Sequence, residues 1–267
     1  MQDLKILAFQ SDLIWENPKA NREAFEKKIY QSFDDHDLII LPETFTTGFP
    51  VKPEKFAEDI NGETMEWLTS LSSKLNTCIS GSFLLNTNSI YSNTLIWMRN
   101  DGSYERYDKR HVFSMGGEHE SIKAGVSQLF VELKGWKIKP MICYDLRFPV
   151  WSKNKYSKKS GFEYDLAIYV ANWPAVRSYP WRSLLVARAI ENLACVIGIN
   201  RVGKDNSGLL YNGDSMFIDA KGNILADAND GKERIISHTF KAKELTDFRK
   251  KFNSGLDWDE FVLNTSL

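Results

Sequence analysis

Trp136-Lys137-Ile138-Lys139-Pro140-Met141-Ile142-Cys143-Tyr144-Asp145-Leu146-Arg147-Phe148-Pro149 is the stretch on which the reading of this chain turns. Its first half is a short apolar run of strand character, and its second half turns polar and ends on a proline. Cys143 stands at the change. Two upstream segments have the same build: Leu38-Ile39-Ile40-Leu41 runs into Pro42-Glu43, and the strand-like residues 103–107 run into Asp108-Lys109. A thiol, a carboxylate and an ammonium each sit at the mouth of a strand, where one rim of a sheet can gather them. Those groups suffice for a nucleophile, a general base and an oxyanion stabiliser.

Working outward, residues 5–10 read as a first strand. Asn17-Pro18 supplies an N-cap and a proline at the first helical position for a helix to about residue 33. Residues 37–41 read as a buried strand, and 61–75 as a helix carrying Met65, Trp67, Leu68, Leu71 and Leu75. Strands are expected at 77–83 and 94–98, the latter turning through Asn100-Asp101-Gly102 into 103–107. Residues 128–133 pair with 136–142 across Lys134-Gly135, and 165–170 is a buried strand. A helix over 180–192 has Leu184, Leu185, Ala187 and Ile190 as its apolar face. Further strands fall at 195–200, 215–218, 223–226 and 234–240, before a C-terminal helix. Strands outnumber helices, and helices interrupt them throughout. That pattern predicts a layered α/β fold with at least one mixed sheet, and the hairpins argue against a uniform (β/α)8 barrel.

The 267 residues suit one domain, with a core over about 4–240 and a C-terminal helix and tail over 241–267. Lys plus Arg number 34 against 35 Asp plus Glu, so no basic excess is available to neutralise phosphates and nucleic acid is not an expected partner. The lysine-rich run 153–159 reads as a solvated loop or helix face. Three widely spaced cysteines, Cys78, Cys143 and Cys195, do not make a disulfide framework and point to a reducing compartment. No signal-peptide pattern and no long apolar run occur, so a cytoplasmic protein without membrane contact is expected.

Cys78 and Cys195 lie within apolar strands and read as small core residues. Cys143 closes its strand instead, and needs a partner to become a thiolate at neutral pH. Of the four histidines, His36 lies among acids and reads as surface, while His111 or His119 is open as a Cys–His partner; none has zinc-ligand spacing. Glu43 is the stronger candidate base, because a carboxylate at the end of a buried strand is partly desolvated. Taken singly, Glu43 also reads as a turn cap and Lys109 as a solvated lysine. The order Glu, Lys, Cys at successive strand ends is what joins them.

Pro42-Glu43-Thr44-Phe45-Thr46-Thr47-Gly48-Phe49, Tyr107-Asp108-Lys109-Arg110-His111-Val112-Phe113 and Cys143-Tyr144-Asp145-Leu146-Arg147-Phe148-Pro149 together resemble the signature blocks of the nitrilase superfamily of carbon–nitrogen hydrolases. Arg188-Ala189-Ile190-Glu191-Asn192, residues 198–203 and Gly213-Asp214-Ser215 resemble its later blocks, so the likeness spans residues 4–240. The resemblance implies an α-β-β-α sandwich with two mixed sheets, usually dimerised, working without a cofactor. It also implies Glu43 as general base, Lys109 as the cation at the tetrahedral oxygen and Cys143 as nucleophile. A second glutamate belongs in the loop before Gly125, where Glu118 fits the spacing better than Glu120.

The first two blocks are most similar to the omega-amidase branch, which implies small omega-amido 2-oxo acids as substrates. Such substrates carry a carboxylate, so a second cation is expected; Arg177 is the candidate, while Arg147 is expected in an internal salt bridge. Phe45, Tyr144, Asn172 and Trp173 are the candidate substrate-facing residues. Nitrile hydrolysis, or a non-catalytic scaffold role for the same fold, are the alternatives. A superfamily acyltransferase would need membrane spans, and a glutaminase of the NAD-synthetase type an added ATP domain.

Overall fold

Strand β1 (Leu4–Gln10) turns Leu7 and Phe9 to one side and Leu4, Ile6 and Ala8 to the other, and that alternation divides the molecule into layers. The protein is seen here as a computed structural model that describes residues 1–49 and 52–264. After β1 come α1 (Pro18–Ser32), β2 (Leu38–Ile40), α2 (Glu63–Leu75), β3 (Cys78–Thr87), β4 (Ile90–Met98) and β5 (Tyr104–Asp108). The second half holds β6 (Val131–Leu133), β7 (Trp136–Ile142), α3 (Pro149–Ser152), β8 (Tyr156–Ser157), β9 (Gly161–Phe162), β10 (Leu166–Ala171) and α4 (Ser178–Asn192). It ends with β11 (Cys195–Asn200), β12 (Val202–Lys204), β13 (Leu210–Asn212), β14 (Ser215–Ile218), β15 (Ile224–Ala228), β16 (Arg234–Phe240) and α5 (Ala242–Lys251).

Two six-stranded sheets result, in the orders β16-β1-β2-β3-β4-β5 and β15-β14-β11-β10-β7-β6. Each is mixed: β1, β2 and β3 run parallel, as do β7, β10 and β11. The β3–β4–β5 hairpins extend one edge of the first sheet, β16 pairs antiparallel with β1 at the other, and the β14–β15 and β6–β7 hairpins form the edges of the second. Phe25 and Ile29 of α1, with Met65, Leu68 and Leu71 of α2, cover one face of the first sheet. Ile6, Ala8, Leu38, Ile40, Leu95 and Trp97 on its other face join the second sheet in one core, together with Trp181, Leu185 and Ala189 of α4. The expected α-β-β-α sandwich is therefore present. Among the described residues no helix is long and apolar enough to cross a membrane.

Three local expectations are corrected. Strands β3 and β4 are longer than 77–83 and 94–98 and form a hairpin through Asn88 and Ser89, both left-handed at φ 54° and 63°. Ser92 and Asn93 hid the start of β4 because they are polar yet buried. On α4 the buried face is Trp181, Leu185, Arg188, Ala189 and Asn192, while Ile190 is 51% exposed. Hydrogen-bonding work explains the rotation: Arg188 Nη2 donates to Leu146 O at 2.7 Å, and Asn192 Oδ1 accepts from Asn154 N at 2.8 Å. His36 is buried rather than superficial, its ring joined to Ser237 Oγ at 2.8 Å and accepting from Asp34 N.

Candidate active site

The chain leaves β2 through Leu41-Pro42 and delivers Glu43 fully buried between the sheets. Its turn is tied to β3, for Thr44 N donates to Ser82 Oγ at 2.8 Å and Phe45 N to Ser82 O at 2.9 Å. Lys109 follows β5, still paired: its N–H donates to Asn93 O at 2.9 Å and its carbonyl accepts from Gly125 N at 2.8 Å. Cys143 follows β7 with φ 43°, a left-handed conformation that a cysteine holds only where its surroundings over-determine it.

Asp145 supplies that constraint. Its buried carboxylate accepts from Ile142 N (3.0 Å), Tyr107 O–H (2.7 Å) and His111 N (3.0 Å), and pairs with the His111 ring at 2.8 Å. The turn after Cys143 is thereby fastened to the turn that carries Lys109. His111 is committed to Asp145 and stacked on Phe148 with ring centroids 3.7 Å apart, so it does not serve as a Cys143 partner.

Lys109 Nζ lies between two carboxylates, 2.9 Å from Glu43 Oε1 and 2.9 Å from Glu118 Oε2. Glu120 and His119 are exposed, which leaves Glu118 as the glutamate bonded to the lysine. Asn172 connects Glu43 and the thiol: its N–H donates to Glu43 Oε2 at 2.6 Å, and its carbonyl oxygen is 3.9 Å from Cys143 Sγ. Its side-chain amide also ties Glu43 O and Thr44 Oγ1 at 2.9 and 2.8 Å.

Burial and charge set the protonation states. Burial alone would pull the Lys109 ammonium down, but the carboxylates of Glu118 and Glu43 outweigh it and raise its proton affinity. Burial pushes the Cys143 thiol well above the ordinary range; the Glu43 charge adds to this, and Lys109 pulls the other way. Burial likewise raises Glu118 against the pull of Lys109. The resting site therefore holds a neutral thiol beside one cation and two acids. It can release the thiol proton to a neighbouring carboxylate as a bond forms to sulfur.

The remaining expected residues fall into two groups. Tyr144 meets the Phe113 and Phe148 rings edge-on, both at 5.1 Å, and Trp173 follows Asn172 with Arg147 stacked over its ring at 4.9 Å. Arg177 is half-buried over Phe113 at 5.4 Å. Neither Arg147 nor Arg177 has a carboxylate partner among the described residues, so the salt bridge expected for Arg147 is replaced by an aromatic face. Phe45 is not brought to the group: its ring packs edge-on against Phe25 at 5.9 Å in the core under α1 and α2. Two residues near Lys109 went unassigned in the sequence. Phe49 presents its ring 5.3 Å from Lys109 Nζ and was already inside the first signature block. Asn93 donates to Glu43 Oε1 at 2.8 Å, and only the polar interruption of β4 marks it. Among the described residues no cluster of three or more His, Cys, Asp or Glu is arranged to hold a metal ion.

A family model of carbon-nitrogen hydrolases matches residues 14–250. The chain is 42% identical to omega-amidase YafV of Yersinia enterocolitica, over 98% of this chain and 100% of that protein. It is 30% identical to 2-oxoglutaramate amidase of Bacillus subtilis, over 92% and 93%. A crystal structure of a CN-hydrolase superfamily protein from Xanthomonas campestris, with an arsenic adduct in its active site, superposes with a TM-score of 0.96 at 41% identity, covering 99% of this chain and all of that one. A strand-end thiol, acid and lysine in one buried cluster, on this sandwich and in this register, thus agree with what the relatives indicate: the chain belongs to the carbon-nitrogen hydrolases of the nitrilase superfamily, in the omega-amidase-like branch, and is a hydrolase acting on amides.

Proposed function

We propose that the protein cleaves the terminal carboxamide of small omega-amido 2-oxo acids, 2-oxoglutaramate and 2-oxosuccinamate, to the diacid and ammonia. Glu43 takes the proton of the Cys143 thiol as sulfur attacks the amide carbon. The oxygen that gains the electron pair is held by the Lys109 ammonium and the N–H of Tyr144, whose place at the start of a 3-10 turn leaves that donor free of intrahelical partners. Collapse of the tetrahedral adduct breaks the C–N bond, and Glu43 returns its proton to the departing ammonia. A thioester remains. Glu43 then removes a proton from water as the oxygen attacks the thioester, and the thiol is regenerated as the acid leaves. Glu118 holds Lys109 in line throughout.

The observation that carries this reading is the bridged cluster itself: Lys109 between Glu43 and Glu118, and Asn172 touching both Glu43 Oε2 and the thiol. For the substrate, the support is the omega-amidase and 2-oxoglutaramate amidase relatives, with the two guanidinium groups of Arg147 and Arg177 left free for a carboxylate. Ammonia release from 2-oxoglutaramate, 2-oxosuccinamate, glutamine, a simple amide and a nitrile tests both levels. The two oxo-acid amides should be preferred by wild type, and Cys143→Ala should release none. Activity retained by Cys143→Ala removes the proposed nucleophile; preference for glutamine or the nitrile removes the proposed substrate.

A further inference from the structure

We propose that Asn93 is a positioning residue of the amide-cleaving site, whose side-chain amide occupies Glu43 Oε1 so that Oε2 is the oxygen left to take the thiol proton. The inference rests on the reading of Glu43 as the base.

Asn93 is fully buried in β4, with β3 paired on one side and β5 on the other, so its side chain is held by strand register. Nδ2 donates to Glu43 Oε1 at 2.8 Å and lies 3.5 Å from Glu118 Oε1. A carboxylate oxygen offers two lone-pair directions. On Oε1 both are taken, by Lys109 Nζ at 2.9 Å and by Asn93. Oε2 has one short bond, from Asn172 N at 2.6 Å, and a longer approach of the Asn172 side chain at 3.4 Å. Because the Asn172 carbonyl lies 3.9 Å from Sγ, the oxygen with spare capacity is the one on the thiol side.

The other end of Asn93 argues against a merely structural asparagine. Its Oδ1 is buried with no partner among the described residues, an arrangement that costs stability and would not be needed to pair β4. The residue type also fits the chemistry. A lysine or arginine there would add a second cation and cancel the excess negative charge that draws the proton from sulfur. A neutral amide orients the base without doing so.

The charged and titratable groups facing Glu43 are Lys109 at the end of β5, Glu118 in the loop that follows, Cys143 at the end of β7 and Tyr211 of β13. An N–H donor favours the ionised form of the carboxylate it bonds. Its loss makes the acid pair easier to protonate, so the acid limb of the rate profile moves to higher pH.

The test uses the full chain with an amide that wild type hydrolyses, and reads kcat, KM and the pH profile of kcat/KM. Asn93→Ala should lose about 10- to 100-fold in kcat with KM within about threefold, and its acid limb should rise. The isosteric Asn93→Asp, which replaces the donor by a third acid, should lose at least as much kcat at pH 7; it carries the test if the alanine variant does not fold. Folded variants with kcat within about twofold of wild type overturn the inference, as does a loss that leaves the acid limb in place. An inactive Cys143→Ala beside an unaffected Asn93→Ala sinks this inference alone. A fully active Cys143→Ala sinks the reading beneath it.

Discussion

Two lysines buried in the same molecule show how completely a neighbour decides the fate of a charge. Lys109 has two carboxylates within bonding distance and gains proton affinity despite full burial. Lys139, on β7, bonds Trp151 O at 2.7 Å and faces the rings of Phe130 and Tyr164 with no carboxylate in bonding distance among the described residues, and burial pulls it down to about 8. Its unfolded value is about 10.4, so the buried charge costs stability in full below pH 8, and that cost vanishes as pH rises through 10.4. Trp151 O keeps a second donor, Gln128 Nε2 at 2.9 Å, when the lysine is removed. Lys139→Met should therefore stabilise the protein by about 1–3 kcal/mol at pH 7 in urea unfolding, with the gain shrinking toward pH 10. A variant less stable than wild type at pH 7 would show that the ammonium is better solvated than its surroundings indicate.

At the scale of elements, the site is made by strand ends that stop abruptly, and the stops are held by close backbone approach. Gly125 is the tightest of these: a Cβ there would lie 2.1 Å from Asp108 O, next to the backbone that delivers Lys109. Gly125→Ala must push that carbonyl aside, and a displacement near 1 Å at the lysine costs roughly 100-fold in rate. We expect kcat to fall by about that factor while thermal unfolding drops by only a few degrees; wild-type kcat would mean that the loop yields without moving Lys109. The same elements show what the sequence could disclose. Asn17-Pro18, Asn100-Asp101-Gly102 and Lys134-Gly135 carry backbone requirements in their residue types, and α1, the β4–β5 hairpin and the β6–β7 hairpin follow from them. Glu43, Lys109 and Cys143 were legible as neighbours because each follows the end of a strand-like run. Asn93 was not, since it sits inside a strand, and its polarity reads as a break until the carboxylates it serves are seen. Phe45 was misplaced for the converse reason: adjacency to Glu43 in the chain says nothing about which side of the sheet receives the ring.

For the molecule as a whole, closing two sheets face to face buries every thiol and several phenols, and this sets a limit on the alkaline side. Burial raises Cys78 to about 11 and Cys195 to about 12, and lifts Cys143, Tyr107, Tyr164, Tyr169 and Tyr211 above their ordinary values as well. Each group keeps its proton longer folded than unfolded. The stability it contributes is complete below the unfolded value, about 8.5 for a thiol and 10 for a phenol, and is lost as pH climbs toward the folded value. Lys139 and the half-buried Lys153 work in the opposite sense over this range, and two groups do not offset several. Unfolding free energy should hold level from pH 7 to 8.5 and then fall. Each titrating thiol contributes a slope of about 1.4 kcal/mol per pH unit once its unfolded form is ionised. Cys195→Ala removes one such term. Whatever the cavity it leaves does to stability at pH 7, that change is the same at every pH, so the slope between pH 9 and 10.5 isolates the thiol. It should be shallower than wild type by about one group's share, measured by urea unfolding at fixed temperature, and an unchanged slope would mean that Cys195 ionises in the folded protein as it does in the unfolded chain.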